Sequence, residues 1–119
     1  MEERRQHIRI SDSLKVVYQV LKSFRSVTSN TRDISEGGIR LPILQRLQPG
    51  MVIELELHLP DLRKPIRAIG EIVWLKEIED LKFPFVVGVK FINIDTVSLG
   101  KIRDYIKEKS HEGYIGWIE

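Results

Sequence analysis

Between residues 51 and 60 the chain reads MVIELELHLP, with Ile53, Leu55, Leu57 and Leu59 at every second position and Glu54, Glu56 and His58 between them. Side chains on a strand alternate between its two faces, so one face of this run is apolar and the other is wet. Such a strand belongs to an antiparallel sheet or barrel with one face buried.

Neighbouring segments repeat the signal. In SLKVVYQVLK, residues 13–22, Leu14, Val16, Tyr18 and Val20 share one face. Period two with β-branched and aromatic residues predicts a strand. FRSVTSNTRDI, residues 24–34, reads as a more polar strand. SEGG turns the chain and IRL opens the next strand. LPILQRLQPG is a connector closed by Pro49-Gly50. IRAIGEIVWLK is a further strand, and Gly70 inside it predicts a bulge or bend. FVVGVKFINI is nearly all apolar, with Gly88 inside it. After Asp95 the period changes. Val97, Leu99, Ile102, Tyr105 and Ile106 fall at helical spacing, with Asp95 or Thr96 as the cap, and the helix runs to about Lys109. The expected fold is mainly β: a small antiparallel barrel of about six strands with a C-terminal helix. Residues 1–12 form an N-terminal arm, 13–110 the barrel with its closing helix, and 111–119 an apolar tail.

At 119 residues the chain has the size of one domain, and its 42% hydrophobic content suffices for a core. It contains no cysteine, which removes disulfides, thiolate metal sites and a cysteine nucleophile. The three histidines, His7, His58 and His111, are scattered and in no metal-ligand spacing, and His58 sits on the wet face of its strand. No nucleophile elbow or phosphate-binding loop motif is present. No enzyme, metal or cofactor is therefore predicted. No window is long and apolar enough to span a membrane, and no signal peptide is visible, so a cytoplasmic protein is expected.

Two polar features remain. MEERRQHIRI holds Arg4, Arg5, His7 and Arg9 within a few residues, although the net charge is only +2. Arg5 and Arg9 form an RxxxR pair. A guanidinium can grip phosphate or a guanine edge in bidentate fashion, or stack on a base. Alone the pair is weak, arising by chance in about a third of chains this long. The second feature is TRDISEGGIRL, residues 31–41, with the skeleton Asp33-x-Ser35-x-x-Gly38. Chance supplies it in roughly one chain in twenty. In an extended segment Asp33 and Ser35 point to the same side. Asp33 can accept from the N1–H and N2–H₂ edge of guanine, and Ser35 can reach the same ligand. Gly37 and Gly38 permit positive φ and close backbone approach. A hairpin with an Asx or Ser turn would explain the glycines and one polar residue.

Taken together, an arginine pair followed by D-x-S-x-x-G on a β-rich domain resembles the PilZ family. LQPGMVIELELHLP is similar to that family's strand after a Pro-Gly turn. IGEIVWL and FVVGVKF are similar to its paired later strands, and a closing helix follows. The resemblance spans residues 4–109. It implies a PilZ-type barrel and a receptor for the bacterial second messenger cyclic di-GMP. It also implies that Arg5 and Arg9 reach phosphates and guanine edges, that Asp33 and Ser35 bind guanine, and that Gly37 and Gly38 shape the turn. An arginine directly ahead of the pair, here Arg4, accompanies an intercalated ligand dimer in that family. The layout further suggests that ligand bridges arm and barrel, ordering the arm for an unidentified downstream protein in motility or exopolysaccharide control. Two other readings stay open: a small barrel binding single-stranded nucleic acid, and a ligand-independent interaction module. The tail GYIGWIE suits docking on the barrel, pairing of two chains into a homodimer, or holding a partner.

Overall fold

The computed structural model describes residues 8–111. Eight strands and one helix follow in order: β1 (Arg9–Ile10), β2 (Lys15–Val20), β3 (Ser26–Asn30), β4 (Asp33–Ser35), β5 (Gly38–Ile43), β6 (Val52–His58), β7 (Ile66–Glu77), β8 (Phe85–Asn93) and α1 (Thr96–His111). The strands form one antiparallel sheet in the order β1-β4-β5-β8-β7-β6-β2-β3.

The alternation in β6 sets the inside of the molecule. Ile53, Leu55 and Leu57 are buried, while Glu54 faces solvent. Val16 and Tyr18 of β2, Leu41 and Ile43 of β5, Ala68 and Ile72 of β7, and Val87 and Val89 of β8 join them in one core. The sheet curls around that core. β7 carries register irregularities at Ile69/Gly70 and between Ile72 and Trp74, so of the bulge or bend expected at Gly70 a bulge-type register shift is present.

Mainly antiparallel β with a closing helix is the observed class, with two corrections to its details. The strand count is eight because the run 24–34 divides at Thr31. The Thr31 hydroxyl accepts the Leu14 N–H at 2.9 Å and donates to the Asp12 carbonyl at 2.6 Å. Arg32 N–H then turns to the Arg40 carbonyl at 2.9 Å. The chain thus leaves β2 and joins β5 within two residues. Arg9–Ile10 adds the eighth strand. The second correction is that the barrel is not closed by a backbone ladder. β3 approaches β5, but the contact is the Ser29 hydroxyl donating to the Pro42 carbonyl at 2.7 Å. A strand residue points its N and its C=O to the same side. Pro42 therefore turns its missing donor toward β3, where a full ladder cannot form. The buried Tyr18 hydroxyl ties the same seam, donating to Gln45 Oε1 at 2.7 Å and accepting the Leu44 N–H at 3.0 Å.

Asp95 caps α1. Its carboxylate accepts the Ser98 N–H at 2.7 Å and the Ser98 hydroxyl at 3.1 Å. The bond from the Ser98 N–H, first, holds this carboxyl below its ordinary range. Ile102, Tyr105 and Ile106 enter the core, whereas Val97 is exposed, so the buried stripe starts a turn later than the spacing suggests. α1 packs against β1 and β4.

Candidate functional site

The two polar motifs meet on one face. β1 pairs with β4, placing Arg9 opposite Ser35 and Ile10 opposite Ile34. Ile10 and Ile34 are fully buried toward the core that α1 shares. By alternation, Arg9, Asp33 and Ser35 occupy the other face. The β4–β5 hairpin puts Arg40 directly opposite Asp33, and directly paired residues in an antiparallel ladder project to the same side.

Asp33 is the centre of this face. It is 2% exposed, which an ionised carboxylate tolerates only when paired. Oδ1 accepts Nη1 of Arg9 at 2.6 Å, and Oδ2 accepts Nε of Arg40 at 2.5 Å. The guanidinium side chains keep 38% and 47% of their surface in solvent, against 3% for the carboxylate. The result is an acidic acceptor roofed by two partly exposed cations. Such a surface can exchange its internal ion pairs for a ligand bearing donors and an anion.

Ser35 serves its own turn. Its Oγ accepts the Gly37 N–H at 3.1 Å and lies 3.5 Å from the Gly38 carbonyl. The Ser turn weighed from sequence is thus formed, next to Asp33 rather than instead of a polar site. The glycines act differently from the positive-φ reading. Among the described glycines only Gly50 has a positive φ, 97°. Gly38 is required by close approach: a Cβ there would stand 1.9 Å from the Val89 carbonyl oxygen. Gly37 accepts the Phe91 N–H at 2.9 Å, tying the turn to β8. Glu36, at the tip, takes a two-pronged bond from Arg103 of α1, Nε to Oε2 at 3.1 Å and Nη2 to Oε1 at 3.2 Å.

Arg4 and Arg5 lie outside the described residues. Arg40 is the site residue that motif reading missed. Counting outward from the SEGG turn, Ile34–Ile39 and then Asp33–Arg40 follow as pairs, so the hairpin register contains the signal. The same row continues across the sheet, since Arg40 pairs with Gly88 and Gly88 with Trp74. Trp74 covers Gly88 so closely that a Cβ there would meet the indole Nε1 at 2.2 Å, yet it remains 39% exposed.

Among the described residues no group of three His, Asp or Glu side chains is arranged to hold a metal ion, and no helix is long and apolar enough to cross a membrane. A groove of about 600 Å³ lies elsewhere, on the outer face of β2, β6 and β7. It is lined by Val17, Gln19, Glu54, Glu56, Arg67 and Asp95 among others, and contains none of the motif residues.

The family model for the PilZ domain matches residues 3–108. Solved structures share the fold at low identity. The Bacillus subtilis inhibitor of motility MotI/DgrA aligns with a TM-score of 0.80 and 17% identity, over 94% of this chain and 54% of that one. This chain thus spans about half the length of that protein. The PilZ domain of YcgR from Escherichia coli, solved with c-di-GMP, aligns at 0.70 and 18% identity, over 92% and 94% of the two chains. The Borreliella burgdorferi PlzA protein in complex with c-di-GMP aligns at 0.61 and 18%, over 87% of this chain and 41% of that one. No curated protein sequence matches this chain.

Proposed function

The chain belongs to the PilZ family, and from that premise we propose that it is a non-enzymatic receptor for cyclic di-GMP. The observation that carries this reading is the buried Asp33 carboxylate, bonded to Arg9 of RxxxR across 24 residues of sequence. Two structures of similar fold, the PilZ domain of YcgR and the PlzA protein, were solved with this ligand.

In this reading the guanine N1–H and N2–H₂ donate to Asp33, and Ser35 holds the turn against which the base sits. Arg9 and Arg5 take phosphate oxygens, and Gly37 and Gly38 keep the backbone low beneath the ligand. Arg4 supplies a further cation, which favours a second, intercalated ligand molecule, because two cyclic dinucleotides bring twice the phosphate charge. Signalling runs through the N-terminal arm. Arg9–Ile10 is already a strand of the sheet, so ligand acts on the residues ahead of it, drawing them over the Asp33 face for a downstream protein. Motility control is the output we favour, since the similar B. subtilis protein is an inhibitor of motility. Cytoplasmic residence follows from a ligand made and read inside bacteria. The nucleic-acid reading loses support because the groove on β2, β6 and β7 carries three carboxylates, Glu54, Glu56 and Asp95, against the one cation Arg67, a balance that repels a phosphate backbone. A ligand-independent interaction module leaves the Arg9–Asp33–Arg40 cluster without a task.

Calorimetric titration tests the reading, with GMP and a short oligonucleotide as controls. Cyclic di-GMP should bind, and Arg9→Ala and Asp33→Ala should each weaken it by about 10- to 100-fold, the worth of one charge-assisted hydrogen bond of about 1.5–3 kcal/mol. Unchanged affinity in both variants would remove the site. Hydrogen exchange at residues 1–8 should slow on binding; if it does not, the arm plays no part in the signal.

A further inference from the structure

Both oxygens of Asp33 are occupied and the residue is nearly fully buried. The pairing edge of guanine presents N1–H and N2–H₂ side by side, and reading both takes the same two oxygens. Each oxygen still has a free lone pair, but the Asp33 side chain is only 3% exposed beneath the two guanidiniums, so at least one of them has to move aside before guanine can reach it, and the geometry distinguishes the two. Arg9 reaches Asp33 end-on through Nη1, so its Nε and Nη2 can hold a phosphate while that bond persists. Arg40 engages through Nε, the nitrogen nearest its own backbone. Its two terminal nitrogens have no protein partner among the described residues, and its side chain is the more exposed of the two.

Resting on the cyclic di-GMP reading above, we infer that Arg40 is an exchange residue of this site. In the free protein it neutralises Asp33, and on binding it yields Asp33 to guanine and passes to a ligand phosphate. The balance of charge supports the step. Asp33, Arg9 and Arg40 together carry one net positive charge. A neutral guanosine would take Asp33 and leave a guanidinium unpartnered. Free phosphate could take the open nitrogens of Arg9 but brings no donor for Asp33, so it leaves Arg40 on the carboxylate. A ligand with guanine and phosphodiester joined satisfies every group at once. Arg40 thus selects for the joined ligand, a role neither sequence motif includes. The Trp74 indole covers Gly88, opposite Arg40 in the ladder, so the room for movement is on the solvent side, where the Arg40 side chain is 47% exposed.

The test is the affinity of cyclic di-GMP for wild type, Arg40→Ala and Arg40→Lys, each at roughly 0.05 and 0.5 M NaCl, where screening lengths differ about threefold. Arg40→Ala should bind about 10- to 50-fold more weakly at low salt, and the gap should shrink to about threefold or less at high salt, because an ion pair to phosphate has been removed. Arg40→Lys should recover part of the loss, keeping the charge without the planar fork. Circular dichroism melts of all three establish that the half-exposed position leaves the fold intact. Equal affinity of wild type and Arg40→Ala overturns the assignment. So does a gap that salt does not change, which would make Arg40 a prop for Asp33 only. If Arg9→Ala is impaired while Arg40→Ala is not, the Arg40 assignment falls and the receptor reading stands. If wild type does not bind, both fall.

Discussion

Gly38→Ala is the substitution whose cost can be worked most directly from the geometry. A Cβ at residue 38 would lie 1.9 Å from the Val89 oxygen, 3.0 Å from its carbonyl carbon and 3.1 Å from Lys90 Cα. All three atoms are backbone, so no side chain can swing aside. Reaching an ordinary contact near 3.4 Å asks β5 and β8 to part by about 1.5 Å. The Phe91 N–H bond to the Gly37 carbonyl, 2.9 Å long, does not survive that displacement. Overpacking of about 1–3 kcal/mol plus about 1 kcal/mol for a lost backbone bond gives about 2–4 kcal/mol. That is a large share of the roughly 5–15 kcal/mol that holds a typical domain together.

For a domain of this size the melting temperature should fall by about 8–16 °C in a calorimetric or circular dichroism melt. The controls separate close approach from backbone conformation. At a left-handed position asparagine is better tolerated than alanine. Gly38→Asn should therefore be no better than Gly38→Ala. Gly50, with φ 97° and nothing within 4 Å of where a Cβ would stand, should show the opposite order, asparagine milder than alanine. A Gly38→Ala protein melting within about 2 °C of wild type would refute the reasoning, and so would rescue by Gly38→Asn.

Gly88→Ala should cost less than Gly38→Ala, about 1 kcal/mol, because its clash is with the Trp74 indole, which is already 39% exposed and can tilt outward; in a Trp117→Phe background the emission of Trp74 should shift to the red. Tyr18→Phe should lose about 1–2 kcal/mol by stranding the Leu44 N–H at the β3–β5 seam. Burial, first, raises the Tyr18 phenol above its ordinary value of 10.0, with the Leu44 N–H opposing. The stability it lends is therefore whole below that value and lost as pH rises through the folded one. Urea unfolding at pH about 8 and about 11 should show a steeper alkaline decline in wild type than in Tyr18→Phe.

The elements legible in the sequence are those whose cause is local. β6 announces itself because its alternation is self-contained, and α1 because Asp95 and Ser98 make the cap three residues apart. The Asp33–Ser35 pair is legible for the same reason. What escapes is long-range. The break at Thr31 depends on the Asp12 carbonyl and Leu14 N–H, brought close only once β2 and β3 pair. The open seam turns on Pro42 facing β3, and nothing in LPIL says which neighbour a proline will face. The role of Gly38 is set by Val89, about fifty residues on, so positive φ is the natural local expectation and close packing the actual constraint. Arg40 stands between these cases: its pairing with Asp33 follows from the hairpin register, but its ion pair needs the burial that Ile34 and Ile39 impose on their strands.

The position of the site in the sheet decides how a signal can leave it. β5 is held on one flank by β8 over six residue pairs, whereas β1 contributes two pairs and β4 two to β5. The Asp33 face therefore sits on the most weakly laddered part of the sheet, where displacement disrupts the fewest backbone bonds. Its reverse side is not loose. Ile10 and Ile34 are fully buried against the core that receives Ile102, Tyr105 and Ile106. Arg103 grips Glu36 at the turn, and the Tyr105 hydroxyl donates to Asp12 just after β1. Movement of β1 and β4 must consequently drag on α1 at two polar anchors and one packed face. A ligand that re-pairs Arg9 and Arg40 acts where the sheet yields most and where the helix is most directly attached.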